Sequence, residues 1–190
     1  MLRRIVHSLV ALTSLAILTL LVGGAISFAA EPGFWTTPAI PGFGKIHFLP
    51  DAAYKPDKAS RYKIVFALTA AAKMPSGVNP SLDRVARTVN LYVATGVPLS
   101  HLKFVAVAYG AATALALDDA HYRIQFGTPN PNLRLIAELR KAGVDVAVCA
   151  QAVAEHQYDY SWVDKSVTLA LSGLTTVTTL EHAGYVLMPM

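Results

Sequence analysis

A single cysteine occurs in this 190-residue chain, and it stands where chemistry would collect. In Val144-Asp145-Val146-Ala147-Val148-Cys149-Ala150-Gln151 alternating valines form a buried strand that runs into Cys149, after a helical segment closed by Gly143. A strand entered from a helix over one or two residues belongs most simply to a parallel sheet. Open parallel sheets gather ligands just outside the carboxyl ends of their strands, and Cys149 falls at that edge. Two readings of the thiol stand open. It packs as a small hydrophobe, as buried free cysteines do, or it reacts. The short helical segment Ala152-Val153-Ala154-Glu155-His156 begins beside it, and free amides at a helix start stabilise negative charge on sulfur.

Other groups that could serve the thiol come from a second strand, Lys103-Phe104-Val105-Ala106-Val107-Ala108, followed by Tyr109-Gly110-Ala111-Ala112-Thr113. If the two strands are parallel, their ends share one edge, so Tyr109, Gly110, Thr113 and Gln151 form the candidate pocket around Cys149. Tyr109 reads as a pocket wall, because a phenol does not shuttle protons near neutral pH as a histidine does. His156 and Glu155 either reach the thiol or lie a turn or two away on the surface, since no spacing sets that contact. Asp118-Asp119 reads as a solvated helix cap, because adjacent helical residues point in different directions and cannot work as an acid/base pair. The six histidines are scattered, with no H-x-x-x-H and no cysteine cluster, so neither a metal nor a cofactor is expected. The loop Ala70 to Val78 stands where nucleotide folds place a phosphate cradle, yet it carries neither G-x-G-x-x-G nor G-x-x-x-x-G-K-[ST].

The elements that must position these groups alternate strand and helix. Tyr62 to Thr69 is a core strand, apolar on both faces as parallel strands are. Asn79-Pro80 opens a helix, asparagine capping and proline at the first helical position, with Leu82, Val85, Ala86, Val89 and Val93 as its core stripe, stopped by Gly96 and Pro98. One or two short helices follow over Ala114 to Arg123, and Asn130-Pro131-Asn132 repeats the helix-start chemistry before Leu135, Ile136 and Leu139. Val167 to Leu171, a helix over Leu174 to His182 and a closing strand Tyr185 to Met188 complete the pattern. Such alternation predicts a three-layer α/β domain over 62–190 with a mostly parallel sheet of about five strands.

Before that domain lie two segments of other character. Residues 1–29 have the layout of a secretory signal peptide: Arg3-Arg4, an apolar run from Ile5 to Val22, and small residues at Ser27 and Ala29 that place cleavage after Ala29. The alternative is an uncleaved anchor, the run being nearly long enough to span a bilayer. Cleavage yields a periplasmic protein with no stable membrane insertion, and no cysteine follows the run to take a lipid. Residues 30–61 alternate prolines, glycines and aromatics, which excludes a long helix or central strand. Phe34, Trp35 and Phe43 are expected to anchor an arm on the folded surface or on a neighbouring subunit, with a short strand at Lys45 to Leu49; a disordered leader is the alternative. With one cysteine no internal disulfide forms, so stability rests on packing. The formal net charge of +4 includes the two leader arginines. No polybasic run interleaved with aromatics appears, so nucleic acid is not an expected partner.

Lys63-Ile64-Val65-Phe66, Asn79 to Arg87, Val105 to Gly110, Ala142 to Gln151 and Leu171-Ser172 to Gly184-Tyr185 together resemble the DsrE/DsrF-like family. In its sulfur-relay members the cysteine ending the corresponding strand carries sulfur as a persulfide, and the resemblance implies that role for Cys149. Many relatives carry histidine just before the glycine where this chain has Tyr109, so tuning of the thiol by that neighbour is not carried over. The resemblance implies a trimer or hexamer, with a sulfur donor or acceptor, protein or small sulfur compound, as partner. The rival function is an oligomeric binding or assembly module in which Cys149 is structural.

Overall fold

The computed structural model describes residues 33–190; the expected signal peptide and its cleavage site lie outside the described residues. Five strands form one sheet: β1 (Tyr62–Leu68), β2 (Leu102–Ala108), β3 (Asp145–Cys149), β4 (Thr168–Ala170) and β5 (Val186–Pro189), in the order β4-β3-β2-β1-β5. Every neighbouring pair is parallel. The helices are α1 (Pro80–Ala94), α2 (Asp119–Phe126), α3 (Leu133–Lys141), α4 (Ala150–Glu155) and α5 (Gly173–His182), with a 3-10 segment at Gly110–Ala116. This is the expected α/β architecture. Among the described residues no helix is long and apolar enough to cross a membrane.

Strand alternation sorts the two faces. Ile64, Phe66 and Leu68 of β1, Phe104, Ala106 and Ala108 of β2, and Val146 and Val148 of β3 enter the main core. There they meet Leu82, Val85 and Val89 of α1 and Leu135, Ile136 and Leu139 of α3. The intervening residues Val65 and Val107 pack on the other face against Val177 of α5, with half-buried Tyr109 and Leu180 beside them. Since side chains alternate with period two, Cys149 falls on the α5 face, opposite Val148. That single-residue phase decides which helix the thiol meets.

Asparagines hold the joints between elements. Asn79 caps α1 as expected, its Oδ1 accepting from the Ser81 and Leu82 amides at 2.9 and 3.2 Å. Asn130 repeats the Asn79 contact across Pro131, its Oδ1 accepting from the Asn132 amide at 3.0 Å, but α3 starts two residues later than expected, with Asn132 at the N-cap. It makes no side-chain cap of its own helix; its Oδ1 instead accepts from the Asn79 amide at 2.8 Å, and its Nδ2 donates to Asn130 Oδ1 at 2.9 Å. Two helix starts are thereby tied together, because a buried polar side chain must find partners wherever it is held.

Within the single chain the arm is docked on the folded surface, with one of the three expected aromatics, Phe43, packed against the core. The deepest anchors are Ile40 and Ile46, 0% and 2% exposed, whereas Phe34 and Trp35 stay exposed and Phe43 is half-buried. Phe34 stacks on His47 at 4.0 Å, and Phe43 lies under the Arg134 guanidinium. No strand forms at 45–49; one antiparallel bridge joins Thr36 to Ile46. The fully buried Asn90 of α1 clasps the segment: its Oδ1 accepts from the Ala39 and Ile40 amides, and its Nδ2 donates to the Phe43 and Gly44 carbonyls, all at 2.9 Å. Gly44, at φ 57°, sits so close to α1 that a Cβ would lie 2.1 Å from the Arg87 amide nitrogen.

Asp118 caps α2 as expected, accepting from the His121 amide and standing 2.8 Å from the His121 ring. Burial pushes its carboxyl up, but the His121 and Ala120 hydrogen bonds and the nearby imidazole outweigh this and hold it below the usual carboxylate range. Asp119, bonded by Arg123 and the Asn130 amide, and Asp159, bonded by Ser161, are lowered as well. A carboxyl lowered in the folded state contributes stability that is present above its unfolded pKa of about 4 and is lost as pH falls through the folded value. Melting temperature should therefore drop as pH is taken below about 4. Asp118→Asn, which retains a capping side chain but no titration there, should flatten part of that slope; an unchanged slope refutes the assignment.

Candidate functional site

β3 passes into α4 without a loop residue, which makes Cys149 both the last strand residue and the helix N-cap. Its Sγ accepts from the Ala152 amide at 3.3 Å, so the thiol occupies the place that serine or aspartate takes in an ordinary cap. The residue is 5% exposed. It lines a cleft of about 210 Å³ at the carboxyl edge of the sheet, together with Tyr109, Gly110, Gln151, Ala152, Glu155, Ser172, Gly173 and Leu174.

Three of the four expected pocket residues, Tyr109, Gly110 and Gln151, share this cleft with Cys149. Tyr109 follows β2 and donates its amide to the Leu68 carbonyl at 3.0 Å, which sets it over the sheet end. Gln151 Nε2 reaches the Leu171 carbonyl at 3.2 Å, tying α4 to the strand-to-helix turn before α5. Thr113 does not line the cleft. It is 1% exposed, and its hydroxyl donates to the Gly110 carbonyl at 2.7 Å. The same carbonyl lies 2.9 Å from His156 Nε2. A carbonyl only accepts, so Nε2 carries the hydrogen, and His156 acts on the backbone beside the cleft; Glu155 is the residue of that pair lining it.

The wall that sequence reading missed is Ser172-Gly173-Leu174. Ser172 Oγ caps α5 by accepting the Leu174 amide at 3.2 Å. Gly173 lies beneath Tyr109, where an added Cβ would come within 2.9 Å of the ring. A serine-glycine pair ahead of a helix was the available signal, but only the pairing of Cys149 with Ala170 brings that turn to the thiol. We expect Gly173→Ala to displace the Tyr109 ring, because the clash involves ring atoms close to the backbone rather than a flexible tip. The rate of Cys149 alkylation should change severalfold while melting shifts by no more than about 4 °C, the equivalent of roughly 1 kcal/mol. An unchanged rate means that Tyr109 does not gate the thiol.

Chemically the cleft offers one thiol with an amide already directed at it, among the small lining residues Gly110, Ala152 and Gly173. Its charged lining residue is Glu155. Among the described residues no three His, Cys, Asp or Glu side chains gather as a metal site.

Solved structures similar to this chain include the protein of unknown function MTH1491 from Methanobacterium thermoautotrophicum and the ychN protein from E. coli. They are 16% and 14% identical, each match covering 68% of this chain and 99% of the other at a TM-score of 0.48. No curated protein matches the sequence. The description of a protein family does match, over residues 53–189, a span that takes in all five strands and the Cys149 cleft. By that match the chain belongs to the DsrE/DsrF-like family.

Proposed function

We propose that this protein handles sulfur in the periplasm, with Cys149 as a transient persulfide carrier. The observation that carries the reading is the position of Cys149. It lines a cleft at the carboxyl edge of β3 beside the small residues Gly110, Ala152 and Gly173, and its Sγ accepts from the Ala152 amide. In the proposed step the Cys149 thiolate attacks the terminal sulfur of a sulfane-sulfur donor. The new Cys149 S–S bond forms as the donor's S–S bond breaks, and the donor's remaining sulfur group leaves with the electron pair. Transfer to an acceptor thiolate reverses the step, so no external oxidant or reductant is consumed. The Ala152 amide stabilises anionic sulfur in both directions. The signal-peptide layout of residues 1–29 supports an exchange outside the cytoplasm, and the partners in this reading are further copies of this chain, as a trimer or hexamer, together with a sulfur donor or acceptor.

The 5% exposure of Cys149 favours a second reading, an oligomeric binding or assembly module with a structural cysteine. Exposed Leu169, Leu171, Leu174 and Val186 would then serve subunit contacts. Intact-mass measurement after brief incubation with inorganic polysulfide separates the two. A gain of one reductant-labile sulfur atom, blocked by prior alkylation of Cys149, supports the carrier. A thiol that takes up no sulfur and alkylates only in denaturant leaves the module.

A further inference from the structure

On the α1 and α3 side of the same sheet edge lies a second cavity of about 300 Å³, at the lower end of ligand-pocket sizes of roughly 300–1,000 Å³. Gly110 lines the Cys149 cleft and Ala111 lines this cavity, so one peptide separates the two. Much of its wall is apolar, supplied by the Ala70 to Val78 loop, the alanine-rich 3-10 segment and Phe126. Among the described residues no lysine, arginine, aspartate or glutamate lines it, and its one imidazole, His156, spends its Nε2 hydrogen on the Gly110 carbonyl. A charged ligand would lose hydration there without gaining a counter-ion.

Five polar side chains break the apolar wall: Tyr122, whose hydroxyl donates to the Pro75 carbonyl, Tyr158, His156 and two asparagines. Asn79 and Asn132, each 2% exposed, both line the cavity. Their orientations are set, because each Oδ1 already accepts a backbone amide hydrogen: Asn79 from Ser81 and Leu82, Asn132 from Asn79. An amide nitrogen carries two hydrogens. Asn79 Nδ2 spends one on the Ala70 carbonyl, and Asn132 Nδ2 spends one on Asn130 Oδ1. Among the described residues the second hydrogen of each has no acceptor. The α1 start itself is already capped by Asn79, so the cavity is not a bare helix terminus awaiting an anion. Burial pushes the Tyr122 and Tyr158 phenols up, which keeps both lining hydroxyls protonated at neutral pH.

We infer that this cavity binds a small neutral molecule with an apolar, ring-sized body and a carbonyl-type acceptor, which takes the spare amide hydrogens of Asn79 and Asn132. The inference goes beyond sulfur carriage and does not require it. Titration of ¹⁵N-labelled protein with acetophenone tests it, with benzoate and ethylbenzene as charged and acceptor-free probes of similar size. Acetophenone should give saturable shifts centred on the Ala72, Ala112 and Leu115 amides. It should bind about tenfold more tightly than benzoate and severalfold more tightly than ethylbenzene, the factors expected for an unpaired charge and a missing hydrogen bond. Ala111→Leu, at an exposed lining position, should weaken binding about tenfold with little change in melting, since it fills space without entering the core. Ala72→Leu gives the same comparison if that variant fails to fold. Absence of saturation, equal binding of benzoate, or affinity unchanged in a folded cavity-filling variant overturns the assignment.

Discussion

Cys149→Ser should take up no sulfur from polysulfide and yet remain as well folded as the parent, melting within about 4 °C of it. A serine placed blindly into a buried site costs on the order of 1 to 3 kcal/mol, because its hydroxyl is left without a partner. Here the partner is already in place. The Ala152 amide donates to the Sγ at the N-cap of α4, and serine is among the best N-cap residues. The burial lost with the sulfur and the cap gained by the oxygen oppose one another, leaving a net change of about 1 kcal/mol or less, or about 2–4 °C for a domain of this size. Cys149→Val reverses the balance, since valine fills the space but removes the acceptor. Its melting temperature should fall below that of the serine variant. Mass spectrometry after sulfur loading, read beside thermal melts of the two variants, checks both parts. Sulfur uptake that persists in Cys149→Ser ends the carrier proposal, and a serine variant less stable than the valine variant ends the account of the cap.

Asn90→Ala is expected to produce the largest loss of stability. One side chain satisfies the Ala39 and Ile40 amides and the Phe43 and Gly44 carbonyls, and it does so at 0% exposure. Truncation leaves these groups unpaired, each at a cost of about 1 to 3 kcal/mol unless water enters. Some relaxation is available because the arm lies at the surface, so a loss on the order of 3 kcal/mol is expected, a fall in melting temperature of about 10 °C. Asn90→Asp keeps the acceptor for Ala39 and Ile40 but loses both donors and buries a charge, and it should be no better tolerated. Gly44→Ala should dislodge the same segment by another route, since the added Cβ meets the backbone of α1. The combined Asn90→Ala and Gly44→Ala variant should then lose less than the sum of the two, because both act on one docked segment. Additive losses would mean that the clasp and the glycine contact hold independent structures.

The α/β pattern was legible because its signals are local: strands apolar on both faces, Asn79-Pro80 at a helix start, glycines at helix ends. The carboxyl-edge position of Cys149 followed from one such local unit, the helix that hands over to β3. What escaped was set by pairing between distant stretches. Ser172 and Gly173 reach the cleft only because β4 lies beside β3, and no feature of residues 171–174 states that neighbour. Thr113 was placed in the pocket by chain proximity to Gly110, but its hydroxyl turns back to the Gly110 carbonyl, so it supports the pocket without lining it. In the arm, residue size pointed to Phe43, which packs half-buried on the core, but not to the two isoleucines that are buried most deeply. Phe34 and Trp35 are the larger apolar groups, but Ile40 and Ile46 occupy the positions that face the core. Asn90 interrupts the apolar stripe of α1, and hydropathy alone reads such a residue as a flaw; its four partners lie about fifty residues back along the chain.

The docked arm can also be regarded as a ligand that the chain carries with it. Residues 36–46 bind α1 through the Asn90 clasp, the Asp83 carboxylate that accepts from the Gly44 amide, and Ile40 in the shared core, and the connection through residues 47–61 supplies them to that surface at an effective concentration in the millimolar range. A segment held this way needs only modest intrinsic affinity to remain seated. A free peptide of the same sequence must reach comparable concentrations to displace it, whereas cutting the connecting segment would turn a permanent contact into a dilutable one.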